Sequence, residues 1–401
     1  MKVLQINCTY RQGSTGKIVY DLHKYLQHQG HDAIVCYGRG KDTHDSNVYR
    51  LCSNIYGKAQ NLFSRITGLM YGGCFLSTSK LISVIKKEKP DIIHLHCLNG
   101  YFVNIYRLLN WLKKNEQKTV LTLHAEFMYT ANCGHSFECG KWLTGCGNCP
   151  RRKEETHSLL LDATAKSWKK LSDAYSGFEK NMAVVSVSPW LMNRAKRSPM
   201  LRKMNHTCIF NGLDTSVFHL IDETRKDNVI KKETSVLLVT ACFNVEQHHP
   251  KGGYYLVQIA KRMPTVKFLV AGRFEVNDVL PSNIVLLGNI EDQDSLAMLY
   301  GTVDLSIILS KRETFSMPVA ESLCCGTPVV GFCAGGPEQI AITKFCEFVD
   351  YGDIDALEKV IESYLTRQFD SSEISALAKT MYDSSYMAES YMDVYRRLYD
   401  N

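Results

Sequence analysis

Short apolar runs rich in β-branched residues recur along this 401-residue chain, most of them followed by a turn signal and a stretch with helical spacing. In the first half they cover residues 2–8 (KVLQINC), 33–37, 90–96 (PDIIHLH), 118–124 (KTVLTLH), 182–187 and 206–210. In the second half they cover residues 235–242 (SVLLVTAC), 267–271, 284–287, 303–309 (VDLSIIL) and 328–331. Runs that are apolar at every position, rather than at alternate ones, belong to strands covered on both faces. Helices between them cover those faces, so a parallel sheet is the expected product. Two such series in one chain predict two doubly wound α/β domains with a ligand cleft between them. The first is expected over residues 1–214 and the second over 215–385, with a polar linker at 215–233.

The most informative stretch is residues 310–338, SKRETFSMPVAESLCCGTPVVGFCAGGPE. It reads as turn, short helix, glycine stop, strand and glycine loop. Ser316 has the chemistry of a helix cap, and Pro318 falls in the first turn, where a missing N–H costs little. Gly326 suits the helix stop. Free N–H groups at such a helix start favour a phosphate oxygen. Glu313 precedes that start and Glu321 lies inside the helix, eight positions on. The layout suits a nucleotide-sugar, with the diphosphate on the amides and the two carboxylates on sugar and ribose hydroxyls.

This stretch resembles the E-x7-E signature of retaining family 4 glycosyltransferases, enzymes of the GT-B fold, in its Glu313, seven residues, Glu321, then CGTPVVG and GGPE. The resemblance implies a sugar transfer from a nucleotide-sugar to an acceptor hydroxyl with retention of configuration and no metal in the chemistry. It assigns donor contacts to Gly16, Thr314, Phe315, Ser316, Met317 and Glu321, and catalytic contacts to His124, Glu313 and Lys251. His124 ends the strand-like run 118–124, where it is expected to donate a hydrogen bond to the donor sugar. Lys251, at the start of the helix opened by Gly252 and Gly253, is expected to meet the diphosphate. The family has an arginine about seven positions earlier; this chain has Asn244 there, and Arg273 or Lys17 is the expected substitute. Family members also carry a C-terminal helix that crosses back to the first domain, expected here at about 386–401. A nucleotide-sugar epimerase of the same fold is the runner-up; a phosphorylase would need a pyridoxal lysine, for which nothing speaks.

Other features set partners. The loop after the first strand, RQGSTGK, can present amides to phosphate but departs from the Walker pattern, with Arg11 at the first glycine position and Ile18 after Lys17. His94 and His96 alternate on one strand and so share a face; buried structural histidines are expected. Cys133, Cys139, Cys146 and Cys149 lie within seventeen residues. Four thiolates suit a structural zinc, with disulfides or free thiols as the alternatives. Residues 54–73 are weakly amphipathic and basic, fitting a membrane surface, an acceptor cleft or a helix packed on the core. Helices are also expected over 159–181 and after Ser188, with a basic cluster at Arg194, Lys196, Arg197, Arg202 and Lys203 that either forms a solvated helix face or meets lipid phosphates.

Charge is uneven. Residues 1–214 hold 30 Lys and Arg against 15 Asp and Glu; the remainder hold 17 against 26. The first half therefore faces something anionic, expected to be a lipid-linked oligosaccharide acceptor or an anionic membrane leaflet. A zinc-dependent nucleic-acid binder would use the same basic half, but the aromatic residues are not interleaved with basic ones as stacking platforms would be. The opening residues enter a strand directly, without a signal-peptide pattern, and no run of eighteen apolar residues occurs. A cytoplasmic enzyme at the inner membrane face is the resulting expectation.

Overall fold

The computed structural model describes residues 1–221, 233–276 and 278–400. They form two compact units, Met1–Ile209 with Met387–Asn401, and Phe210–Tyr386. Most of the linker expected at 215–233 lies outside the described residues.

The first unit is built on seven parallel strands: β1 (Lys2–Asn7), β2 (Asp32–Tyr37), β3 (Val48–Arg50), β4 (Ile92–Leu95), β5 (Thr119–Leu123), β6 (Met182–Ser186) and β7 (Asn205–Cys208). Their order is β3-β2-β1-β4-β5-β6-β7, so the chain reverses its lateral direction between β1 and β4. The helices are α1 (Gly13–His28), α2 (Asn54–Thr67), α3 (Phe75–Glu88), α4 (Ile105–Lys114), α5 (Phe127–Thr130), α6 (Arg152–Glu155), α7 (Thr164–Tyr175) and α8 (Pro189–Arg197). Every residue of β4 and β5 is buried, as their unbroken apolar runs require. Ser188 caps α8 by accepting the Leu191 N–H.

The second unit has six parallel strands: β8 (Ser235–Asn244), β9 (Lys267–Glu275), β10 (Ile284–Gly288), β11 (Leu305–Ile308), β12 (Val329–Phe332) and β13 (Cys346–Val349). Their order is β10-β9-β8-β11-β12-β13, and the reversal falls between β8 and β11. Its helices are α9 (Gly253–Arg262), α10 (Gln293–Thr302), α11 (Met317–Cys324), α12 (Pro337–Ile340), α13 (Ile354–Thr366) and α14 (Ser371–Tyr382). A buried core joins Val236, Phe268, Ile307 and Val330, which share one face of the sheet, to Leu256 of α9 and Ile361 of α13. At about 1.5–3 kcal/mol for each large apolar side chain, this burial is the main support of the unit.

The final helix, α15 (Ser384–Asp400), packs Met387, Tyr391, Met392, Tyr395 and Leu398 against Val3, Ile18, Leu22 and Val120 of the first unit. Two expectations change. The helix expected over 159–181 is confined to α7, because the Asp162 carboxylate accepts the Thr164 N–H at 2.9 Å and the Cys149 N–H at 2.7 Å, which sets the first turn. Ser316 does not cap α11 with its side chain; it stands in a left-handed conformation, φ 88°, and its carbonyl accepts the Val319 N–H at 3.2 Å. A non-glycine residue held there signals local strain.

Candidate functional site

In open parallel sheets, ligands bind outside the carboxyl ends of the strands where strand order reverses. In the second unit that point lies beyond β8 and β11, and Lys251 and Glu313 follow those two strands. The Lys251 ammonium meets Glu313 Oε1 at 2.6 Å. Both side chains are about one-quarter exposed, so they are ordered yet open to a ligand.

Backbone lacing holds this pair. The Lys311 N–H donates to the Pro250 carbonyl at 2.8 Å. Gly252, φ 74°, lets that loop pass so close that a methyl group would overlap the Leu309 carbonyl oxygen. On the other side the Glu313 N–H donates to Ala334 O at 3.0 Å, and the Gly336 N–H to Glu313 O at 2.9 Å. A methyl on Gly336 would stand 2.5 Å from the Thr314 carbonyl. The Glu338 carboxylate receives the Ala334 and Gly335 N–H groups at 3.0 and 2.8 Å, shaping the glycine loop. Glu338 lies in the GGPE motif, but this loop-holding role is visible only in three dimensions.

Thr314, Phe315 and Ser316 are buried, leading into α11 and Met317, and no side chain caps its first turn. Glu321 on α11 is half-buried and accepts from Tyr300 at 3.0 Å. Burial, then the Glu321 charge, pushes the Tyr300 phenol far above its ordinary range, so it is a donor to Glu321 at any working pH. Arg273 stands apart. It sits exposed where β8 and β9 continue as a ribbon past a bulge, opposite Cys242. Among the described residues no hydrogen bond or ion pair joins it to Lys251 or Glu313.

In the first unit, the β1–α1 loop and the end of β4 meet at the equivalent reversal. Asn7 Oδ1 accepts the Cys97 N–H at 3.0 Å, and the Arg11 N–H donates to Gly16 O at 3.0 Å. Gly16 is buried against Thr9, whose hydroxyl would stand 3.0 Å from a methyl there. Arg11 itself pairs with Asp45 at 2.9 Å and lies over the Tyr20 ring.

His124, just beyond β5, is the outer member of a histidine row. His96 and His94 stack at 3.8 Å between ring centroids, sharing one face as their alternation requires. His94 is bound on both nitrogens, by Tyr395 at 2.6 Å and Thr122 at 2.7 Å. His96 Nε2 lies 3.2 Å from Gln5 Oε1, and its Nδ1 lies 3.3 Å from His124 Nε2. Gln5 donates its amide to Val19 O, which leaves Oε1 to accept from His96. His96 Nδ1 must then accept, so the His124 proton sits on Nε2, aimed inward. His124 was expected to donate to a sugar; in this tautomer its Nε2 proton is directed at His96. Although its surface keeps some exposure, the surrounding protein pushes its pKa down to about 4. Burial likewise carries His94 and His96 well below the ordinary imidazole range.

Two residues after His124, Glu126 is fully buried and serves structure. It accepts from Arg194 Nε at 2.6 Å, from Tyr129 OH at 2.6 Å, and from the Ser136 N–H and hydroxyl at 2.6 and 3.0 Å. Arg194 is sandwiched over Trp142 and Trp190. Arg194 therefore leaves the expected basic cluster; only Lys196, Arg197, Arg202 and Lys203 are exposed there. In the loop that follows, the four cysteines are free thiols. Burial first raises Cys133, with the Glu155 charge and then the neighbouring thiols adding to it, and burial with the neighbouring thiols lifts Cys146 to about 11. Among the described residues no three His, Cys, Asp or Glu side chains are gathered to hold a metal ion.

Comparison with known proteins places this geometry. The family model described as Glycosyltransferase Family 4 matches residues 15–217. The chain belongs to that family. A second model, Glycosyl transferases group 1, matches residues 221–381 of this glycosyltransferase. The chain is 25% identical to N-acetyl-alpha-D-glucosaminyl L-malate synthase of Bacillus anthracis, over 84% of this chain and 80% of that one. It is 22% identical to an uncharacterized 42.6 kDa protein in the cps region of Klebsiella pneumoniae, over 99% and 100%. Anabaena HepE, solved in complex with UDP and glucose, superposes with a TM-score of 0.63 at 15% identity, over 98% and 99%. The two Rossmann-like units are thus those of the GT-B fold.

Proposed function

We propose that this glycosyltransferase moves a sugar from a nucleotide-sugar, with retention of configuration, to a lipid-linked oligosaccharide in cell-surface polysaccharide synthesis. The Lys251–Glu313 pair at the strand-order reversal carries the reading. In the free protein Glu313 holds the ammonium in place. A bound diphosphate takes over that ammonium and the N–H groups at the start of α11. Negative charge grows on the leaving diphosphate in the transition state, and donors already aimed there need no reorganisation. Positive charge at the leaving group comes from Lys251 and the helix start rather than from a divalent cation. Glu313, released from Lys251, orients the donor sugar together with His124, and Glu321, steadied by Tyr300, binds the ribose.

The bound UDP and glucose of HepE support a uridine donor, and the cps-region relative supports the polysaccharide setting. A thermal-shift series with UDP-, GDP- and ADP-sugars tests the donor, since a ligand at about a hundred times its Kd adds about 2.7 kcal/mol. One nucleotide should raise the melting point, and Lys251→Ala should abolish the rise. Glu313→Gln should cut turnover roughly a hundredfold or more, the scale of losing one transition-state contact. Wild-type turnover in either variant, or a product of inverted configuration by NMR, overturns the mechanism.

A further inference from the structure

The outward side of α2 is apolar. Of its fourteen residues only Gly57 and Ser64 are buried, whereas Ile55 (81% exposed), Leu62, Phe63 and Ile66 face solvent. Ile55, Leu62 and Ile66 fall on one stripe, at spacings of seven and four. Residues 54–73 thus do not present this apolar face to a core.

Two other segments extend the same surface. Phe75 and Leu76 (77% exposed) open α3, and three consecutive leucines at 159–161 are exposed as well. The pieces are tied together. The Leu159 N–H donates to Arg65 O at 2.8 Å, the Cys74 N–H to Gln60 Oε1 at 2.7 Å, and a methyl on Gly68 would collide with the Leu161 carbonyl. Among the described residues, nine of the sixteen exposed large apolar side chains stand here, far more than scattered surface residues produce.

Charge identifies the occupant. From residue 46 to residue 87 there is no Asp or Glu, against six basic residues: Arg50, Lys58, Arg65, Lys80, Lys86 and Lys87. Lys58 and Arg65 flank the apolar stripe, and both are exposed. A cavity of about 270 Å³, lined by Leu51, Tyr56, Leu76 and Lys80 among others, opens between α2 and α3. Apolar side chains bordered by cations, with a small apolar recess, match a headgroup–acyl boundary carrying negative charge.

We infer that α2, the first turn of α3 and the leucines at 159–161 form a docking face that dips into an anionic phospholipid bilayer. Among the described residues no helix is long and apolar enough to cross a membrane, so this face binds peripherally. The inference deepens the lipid-linked acceptor reading by naming the surface that meets the lipid. It is measured without sugar donor or acceptor, so the two readings fail separately.

The test is sedimentation of the full chain with phosphatidylglycerol-containing vesicles, against pure phosphatidylcholine vesicles, at low and high salt. Wild type should pellet with the anionic vesicles, and less so at high salt, as screening shortens the reach of Lys58 and Arg65. The triple variant Ile55→Gln, Leu62→Gln, Ile66→Gln should lose roughly tenfold or more in affinity. The double variant Lys58→Gln, Arg65→Gln should lose roughly fivefold per charge removed, on anionic vesicles alone. Both should keep the wild-type melting point and the donor-induced thermal shift, because every changed residue is exposed and distant in sequence from Lys251 and Glu313. Wild type left in the supernatant, or a triple variant that pellets like wild type, overturns the inference. So does light scattering that shows a wild-type dimer abolished by the triple variant with no vesicle binding, which would assign the face to a second copy.

Discussion

Replacing Arg194 with methionine separates a structural carboxylate from a chemical one. Glu126 has no exposed surface, and its four hydrogen bonds include one charged donor. Removing that donor leaves a buried anion held by Tyr129 and Ser136. Breaking a buried pair in this way costs about 3–5 kcal/mol. The three neutral donors that remain favour the lower part of the range, and methionine keeps some packing against Trp142 and Trp190. A domain of this size loses roughly 2–4 °C of melting temperature per kcal/mol, so the expected drop is roughly 6–12 °C by calorimetry. Adding Glu126→Gln should recover at least half of it, because the uncompensated charge is the main penalty. A melting point within about 1 °C of wild type for Arg194→Met would refute the argument. So would a Glu126→Gln variant that melts normally yet has no turnover, since that would place Glu126 in the chemistry.

Acid should destabilise the protein earlier than its carboxylates require. His124 titrates near 4, and His94 and His96 lie well below the ordinary imidazole range. The unfolded chain therefore binds more protons than the folded one from about pH 6.5 down to about 4, and stability falls with pH across that window. Urea midpoints taken through it should decline, and less steeply in a His94→Gln variant; a flat profile would refute the buried neutral row. Gly252→Ala should strain the Lys251 loop through its positive φ and the Leu309 carbonyl, costing roughly 1–3 kcal/mol. The donor-induced thermal shift should shrink with it, and an unchanged shift would show that the loop does not position Lys251.

The sheet strands were legible because parallel strands covered on both faces show unbroken apolar runs, as residues 92–95 and 119–123 do. Glu313, Glu321 and Lys251 were legible as motif members. Their geometry was not, since the Lys251–Glu313 contact joins residues 62 apart and depends on the close approach at Gly252. Arg194 misled because, in sequence, a basic residue among basic neighbours looks solvated; its partner Glu126 is 68 positions away. Helical periodicity was equally silent about the outward apolar stripe of α2, because a moment gives the direction of a face and not what covers it. The tautomer of His124 depends on Gln5 and Val19, which no local pattern links to it.

The order in which this chain is made bears on the row behind His124. Tyr395 fixes His94, and the helix that carries it fills the core beside Val3 and Val120. Everything from 210 to 386 must leave the ribosome before that helix can arrive. Until then the amino-terminal lobe waits with an open seam and an unlatched imidazole. Shortening the chain by its closing fifteen positions should harm the lobe synthesised first, not the one next to the cut.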